Sequence, residues 1–127
     1  MNHRRPLYLI ILGALCMLSA SCGQQYKAES VVKDFMEKNL KDVSELKIEE
    51  FHSLDSTRNI SDSALHQMQI RATQTPHYRQ NLDFEGSKSG KMLKMIRVDY
   101  RLGKDKHQDT YYLDTDLSKV VSFKNNH

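Results

Sequence analysis

The chain has 127 residues, 39% hydrophobic and 28% charged, which fits one soluble globular domain and leaves no length for a second. Its formal charge of +3 comes from 19 basic against 16 acidic residues, but Arg4 and Arg5 precede the first acid, Glu29. Without those two arginines the balance is 17 to 16, too even for the one-sided basic surface that a nucleic-acid partner requires.

The N-terminal stretch MNHRRPLYLIILGALCMLSASC has the three parts of a secretory signal. His3, Arg4 and Arg5 form a positive start, and Leu7–Leu18 is a run of 12 uncharged residues. A membrane-crossing helix needs about 20 such residues, so the run is read as a processed leader rather than a permanent span. Small residues Ser19, Ala20 and Ser21 then lead directly into Cys22. This lead-in resembles the bacterial lipoprotein signal. It departs from the usual pattern at Ser19, where the family carries Leu, and is closer to the looser signals of Bacteroidota-type lipoproteins. The resemblance implies a diacylglyceryl group on the Cys22 thiol, cleavage after Ser21 and acylation of the new α-amine. The chemistry needs the nucleophilic sulfur of cysteine, and stable anchoring needs more than one acyl chain. The expected organisation is a signal peptide over 1–21, an acylated cysteine and tether over 22–27, and a domain over 28–127. Cys16 leaves with the leader, so neither a disulfide nor a catalytic thiol is expected in the mature chain. Cys22 is followed by Gly23 and Gln24 rather than Asp, and no acidic cluster comes next, so the expected location is the outer membrane, facing the periplasm.

Ala28, Val31, Val32, Phe35, Met36, Leu40 and Val43 recur at three- and four-residue steps, which predicts a helix near 25–40. In SELKIEEFHSLDS the alternation of Leu46 and Ile48 shifts phase before Phe51; this predicts a strand near 46–54 with a bulge or an end at the paired glutamates. Asn59, Ser61 and Asp62 mark a helix start, and Leu65, Met68 and Ala72 share one face of the helix, which ends or turns at Pro76. EGSKSG has loop composition. KMLKMIRVDYRL is the clearest strand, with Met92, Ile96, Val98, Tyr100 and Leu102 on one face and Lys94 the exception; Leu93 and Met95 make its first half apolar on both sides, as in an inner strand. A turn at Gly103–Lys106 leads to HQDTYYLD, and a turn at Asp114–Asp116 leads to SKVVSF, two further strands.

The order α-β-α-β-β-β predicts an α+β fold, with the N-terminal helix packed on a mostly antiparallel four-stranded sheet. That order resembles the cystatin-like and nuclear-transport-factor-like folds. The segments LKIEEFHSLDS and TYYLDTDLSKVVSF resemble small Bacteroidota-type envelope lipoproteins of unknown function. Neither resemblance implies an activity.

Motif by motif, the domain offers little chemistry. GSKSGK at Gly86–Lys91 has three residues between its glycines, one short of a phosphate-binding loop, and precedes a strand instead of a helix. DTD at Asp114–Asp116 lacks the glycine and distal Glu of a calcium loop and reads as a turn. His52, His66, His77, His107 and His127 show no helical zinc spacing, and Asp62 and His66 one turn apart read as a surface pair. No nucleophile elbow or paired-carboxylate signal stands out. The tip GKDKH reads as a solvated turn, and Tyr100, Tyr111 and Tyr112 as packing residues rather than a recognition surface. DST at Asp55–Thr57 and DSA at Asp62–Ala64 resemble the O-glycosylation sequon of Bacteroidota envelope proteins. The expectation is therefore a membrane-anchored, non-catalytic binding or accessory module with Cys22 as its lipid anchor. No catalytic, metal or cofactor residues are expected, and the partner is an envelope protein or glycan. The alternatives are a small envelope enzyme with a helix–sheet pocket lined by His66 or His77 and a carboxylate, or an inhibitor of a hydrolase.

Overall fold

A computed structural model describes residues 19–84 and 92–126. Helix α1 spans Ser19–Asn39, beginning six residues before the predicted start. Its apolar stripe is realised at four-residue steps: Ala28, Val32, Met36 and Leu40 are fully buried, and Val31 and Phe35 pack beside them. The helix also covers 22–27, where the sequence suggested a tether. Gln25 explains the extension. Its Nε2 donates to Glu29 Oε2 at 2.9 Å and to the His52 carbonyl at 3.0 Å, and its Oε1 accepts from Leu54 N–H at 2.7 Å. A polar side chain thus docks the first turns of α1 against the loop after the first strand.

At its C-terminal end α1 passes into a short antiparallel bridge between Leu40 and Tyr78. Lys41 N–H donates to the His77 carbonyl at 3.1 Å, and Arg79 N–H to the Asn39 carbonyl at 2.8 Å. A single 3-10 turn, Val43–Glu45, then feeds strand β1, Leu46–Phe51.

β1, β2 (Asp55–Ser56), β3 (Lys94–Leu102), β4 (Asp105–Leu113) and β5 (Val120–Asn125) form one antiparallel sheet. Its order is β1-β3-β4-β5, with the two-residue β2 pairing farther along β3 on the same side as β1. The described strands thus number five rather than four, because the chain leaves β3 at His52–Leu54 and rejoins it. The fold class is α+β, as the element order predicts. β3 is an inner strand, flanked by β1 and β2 on one side and by β4 on the other.

The bulge falls where the paired glutamates placed it. Ile48 opposes Tyr100 and Glu50 opposes Asp99, so Glu49 is the extra residue. Since side chains alternate faces, that one residue decides orientation. It returns Phe51 to the core opposite Val98 and puts Glu50 on the outer face beside Asp99.

Helix α2, Asp62–Thr73, starts where Ser61 Oγ accepts from Ala64 N–H at 3.2 Å, an N-cap, and carries Asp62 in its first turn and Arg71 in its last. It packs along β5, and Gln69 Nε2 donates to the Val121 carbonyl at 3.0 Å. Leu65 enters a small cluster with Leu93 and Val121, while Ala72 reaches the main core. β5 is the last strand in the sheet order, and Gln69 thereby answers one of its backbone carbonyls. Pro76 lies in the turn beyond α2. The EGSKSG loop and the GSKSGK motif fall on 85–91, outside the described residues.

The β3–β4 hairpin is tighter than the predicted turn. Leu102 pairs with Asp105, leaving Gly103 and Lys104 as a two-residue loop. Gly103 has φ of 62° while Lys104 does not have a positive φ, the pattern of a II′ turn with glycine first. A Cβ on Gly103 would also stand 2.8 Å from Glu45 Oε2. Gly103→Ala is therefore expected to cost about 1–2 kcal/mol, through the left-handed backbone, measured as a lower urea midpoint. Adding Glu45→Ala removes the contact but not the backbone penalty, so the double variant should recover only a minor part.

Candidate functional site

Two polar constellations occupy opposite faces of the sheet. On the face toward α1, β4 turns His107, Asp109, Tyr111 and Leu113 inward. Asp109 is completely buried there. Its Oδ2 accepts from Tyr78 at 2.7 Å, Tyr100 at 2.5 Å and Tyr111 at 3.0 Å, and its Oδ1 accepts from Asn125 Nδ2 at 2.6 Å. The Tyr78 and Tyr111 hydroxyls also touch each other. A carboxylate offers acceptors alone, so four converging donors match it without an orphaned group. β3, β4, β5 and the Tyr78 turn all contribute.

Burial, reinforced by the Asp109 charge, raises the Tyr78, Tyr100 and Tyr111 phenols well above their usual range, although hydrogen bonds from neighbouring hydroxyls pull Tyr100 and Tyr111 the other way. They remain protonated donors and are not bases. Since Tyr100 gives its proton to Asp109, His77 Nε2, 2.8 Å from the Tyr100 oxygen, is assigned as the donor of that bond. His77 is half-buried and stacks on His107 with ring centroids 4.1 Å apart. Burial and then the His107 charge lower the His77 pKa, with Asp109 pulling the other way. The network leads from a half-buried histidine pair into a sealed interior. Around it the rings of Phe35, Tyr78, Tyr111 and Phe123 pack at centroid distances of 4.2 to 6.2 Å. Among the described residues, Asp109 has no solvent-exposed surface.

The outer face is open and polar. A groove of about 660 Å³ is lined by His52, Asp55, Arg97, Gln108, Tyr112 and Lys124, among others. At its β1 end, His52 Nε2 lies 3.0 Å from Asp99 Oδ2 and 3.9 Å from Glu50 Oε2. Gln108 Nε2 donates to the other Asp99 oxygen at 2.8 Å. Burial alone would raise the Asp99 pKa, but the hydrogen bonds from Gln108 and His52, with the charges of His52 and Arg97, outweigh it and hold the carboxyl below its usual value. A second groove, about 740 Å³, runs between α1 and β1, with Val43, Leu46, Ile48 and Phe51 as its floor and Lys33, Glu37, Glu49 and Glu50 at its rim.

The other sequence candidates fall apart in space. Neither groove includes His66 or His77. His66 is exposed on α2. Asp114 organises the turn before β5, accepting from Ser118 N–H at 2.8 Å and Ser118 Oγ at 2.5 Å, which is the turn role read from the sequence. Tyr100 and Tyr111 are core residues, whereas Tyr112 faces the outer groove. Ser56 and Ser63, the hydroxyls of the two sequon-like triplets, are exposed. Cys22 is exposed and carries a free thiol. No described helix is long and apolar enough to cross a membrane. The chain matches no family model, no curated protein and no solved structure.

Sequence reasoning missed Asp109 as a centre, although the alternation His107, Asp109, Tyr111, Leu113 put an acid in an inward register. Asp109→Ala strands three buried hydroxyls and is expected to destabilise the fold by about 3–5 kcal/mol, while Tyr111→Phe removes one donor and costs about 1–2 kcal/mol; chemical denaturation measures both. His77 has a folded-state pKa below its unfolded value of 6.5, so its contribution is present above that pH and is lost as pH falls through it. The urea midpoint should drop between pH 7 and 5, and His77→Gln should flatten part of that slope.

Proposed function

We propose that the chain is a lipoprotein of the bacterial envelope, held by acyl chains on Cys22 and acting as a non-catalytic binding or accessory module. The observation that carries the reading is the position of Cys22. The thiol is exposed, it follows a small-residue lead-in that resembles a lipoprotein signal, and it stands three residues before Gln25, whose side chain holds α1 to the His52–Leu54 loop. A lipid-modifying enzyme requires an accessible sulfur at such a boundary.

The binding role is supported by the two faces of the sheet. The carboxylate with the most elaborate set of partners, Asp109, is enclosed, whereas the outer groove presents amide, imidazole, guanidinium, ammonium and phenol groups to solvent. Such a surface can position hydroxyls or carboxylates of an envelope protein or glycan through several directional contacts. The fold type within α+β is proposed to be cystatin-like or nuclear-transport-factor-like, on the strength of one long helix laid across an antiparallel sheet. Outer membrane, facing the periplasm, is the proposed location, because residues 23 and 24 are Gly and Gln.

Metabolic labelling with a palmitate analogue is expected to mark the wild-type chain and not Cys22→Ser; undiminished label in the variant refutes the anchor. Crosslinking in cells, followed by detergent extraction, tests the module. Arg97→Glu with Lys124→Glu should abolish whatever specific adduct the wild type forms, and a wild type with no adduct above a tag-alone control refutes the binding role.

A further inference from the structure

We infer that Glu50, His52 and Asp99 form a binding site for a divalent transition-metal ion of the zinc class, a role that the spacing of the histidines did not predict. Three observations converge. First, the donor atoms of these residues all lie within 4.8 Å of one another, with the imidazole nitrogen 3.0 and 3.9 Å from the two carboxylates. Zinc bonds of about 2.0–2.2 Å in a tetrahedral arrangement place ligand atoms about 3.4 Å apart. The two measured separations bracket that spacing, and Glu50, the most exposed of the three side chains at 62%, has the freedom to close the remainder.

Second, the bulge at Glu49 makes Glu50 and Asp99 direct cross-strand partners. Two like charges directly opposite one another on a sheet face are unfavourable. His52, on the same face, is the only other member of the triad, and a divalent ion between the carboxylates turns this repulsion into attraction. Arg97 also acts on Asp99, so the ion meets two carboxylates against one guanidinium and one imidazole. Third, the ligands are held from outside the triad. Gln108 on β4 donates to Asp99 Oδ1, which leaves Oδ2 pointing at His52. The His52 backbone is fixed at both its groups: its N–H donates to the Arg97 carbonyl at 2.8 Å, and its own carbonyl accepts from Gln25. Supporting hydrogen bonds of this kind orient metal ligands and set their affinity.

One imidazole and two carboxylates suit zinc and neighbouring divalent ions better than calcium, which takes more oxygens. Three protein ligands leave a coordination position for water or for a group of a bound partner, and His52 also lines the outer groove, so that position adjoins it. The site does not depend on acylation at Cys22.

The test is a zinc titration of the full chain, without a histidine tag and in detergent, against a chromophoric chelator. The wild type is expected to bind one zinc per chain. Glu50→Gln, His52→Ala and Asp99→Asn should each weaken it at least tenfold, and Gln108→Ala by a smaller factor. Circular dichroism and thermal melts run alongside. Glu50 is a surface side chain, so Glu50→Gln gives a folded variant even if Asp99→Asn does not. Absence of zinc binding in the wild type, or binding unchanged in folded Glu50→Gln and His52→Ala, overturns the site.

Discussion

Placing a carboxylate where no water reaches it is costly unless its oxygens are answered by donors. Asp109 sets that condition, and much of the fold is arranged to meet it. β3 supplies Tyr100, β4 supplies Tyr111, β5 supplies Asn125, and the turn after α2 supplies Tyr78. Each donor also has a role of its own in the apolar core, because a tyrosine brings a large ring with its hydroxyl. The network specifies register as well as stability. Sliding β5 by one residue would turn Asn125 to the other face and leave Oδ1 without its donor. Tyr78 depends in turn on the bridge to Leu40, so the end of α1 is coupled to the same centre.

The outer face follows from a smaller constraint, the extra residue at Glu49. It allows β1 to keep Leu46, Ile48 and Phe51 inward while presenting Glu50 beside Asp99. The chain then leaves β3 at His52–Leu54, and this excursion is where Gln25 of α1 takes hold. Helix position, strand interruption and the Glu50–His52–Asp99 cluster are thus consequences of one local geometry.

How much of this was legible depended on whether the signal was local. The α1 stripe from Ala28 to Leu40, the Ser61 cap, the alternation of β3 from Ile96 onward and the phase shift in β1 are written within a few neighbouring residues, and each appears in the structure; Val43 and Met92, placed in those patterns by spacing, instead lie exposed beyond α1 and before β3. The early start of α1 was not, because Gln24 and Gln25 are polar and Gln25 is held by backbone groups 27 and 29 positions away. β2 has two residues, too few for any periodicity to register. Tyr78 sits in an irregular segment after Pro76, and no pattern marks it as core. Asp109 was visible as an acid in an inward phase, but its three phenolic partners come from three separate parts of the chain. His52 and Asp99 are 47 positions apart and meet through strand register alone.

With the proposed acylation at Cys22, the start of α1 would limit how far the domain can travel. Between Cys22 and Gln25, whose side chain bonds the His52–Leu54 loop, there are three peptide steps, which span about 10 Å fully extended and about 4.5 Å as helix. With acyl chains on Cys22, this leash keeps the globule against the lipid headgroups, with α1 leading up from them. On the proposed anchor, the domain would sample a thin layer beside the bilayer and not the depth of the proposed compartment. Under that proposal a partner would have to come to that layer, or reside in the membrane already, and encounters would take place in two dimensions rather than three.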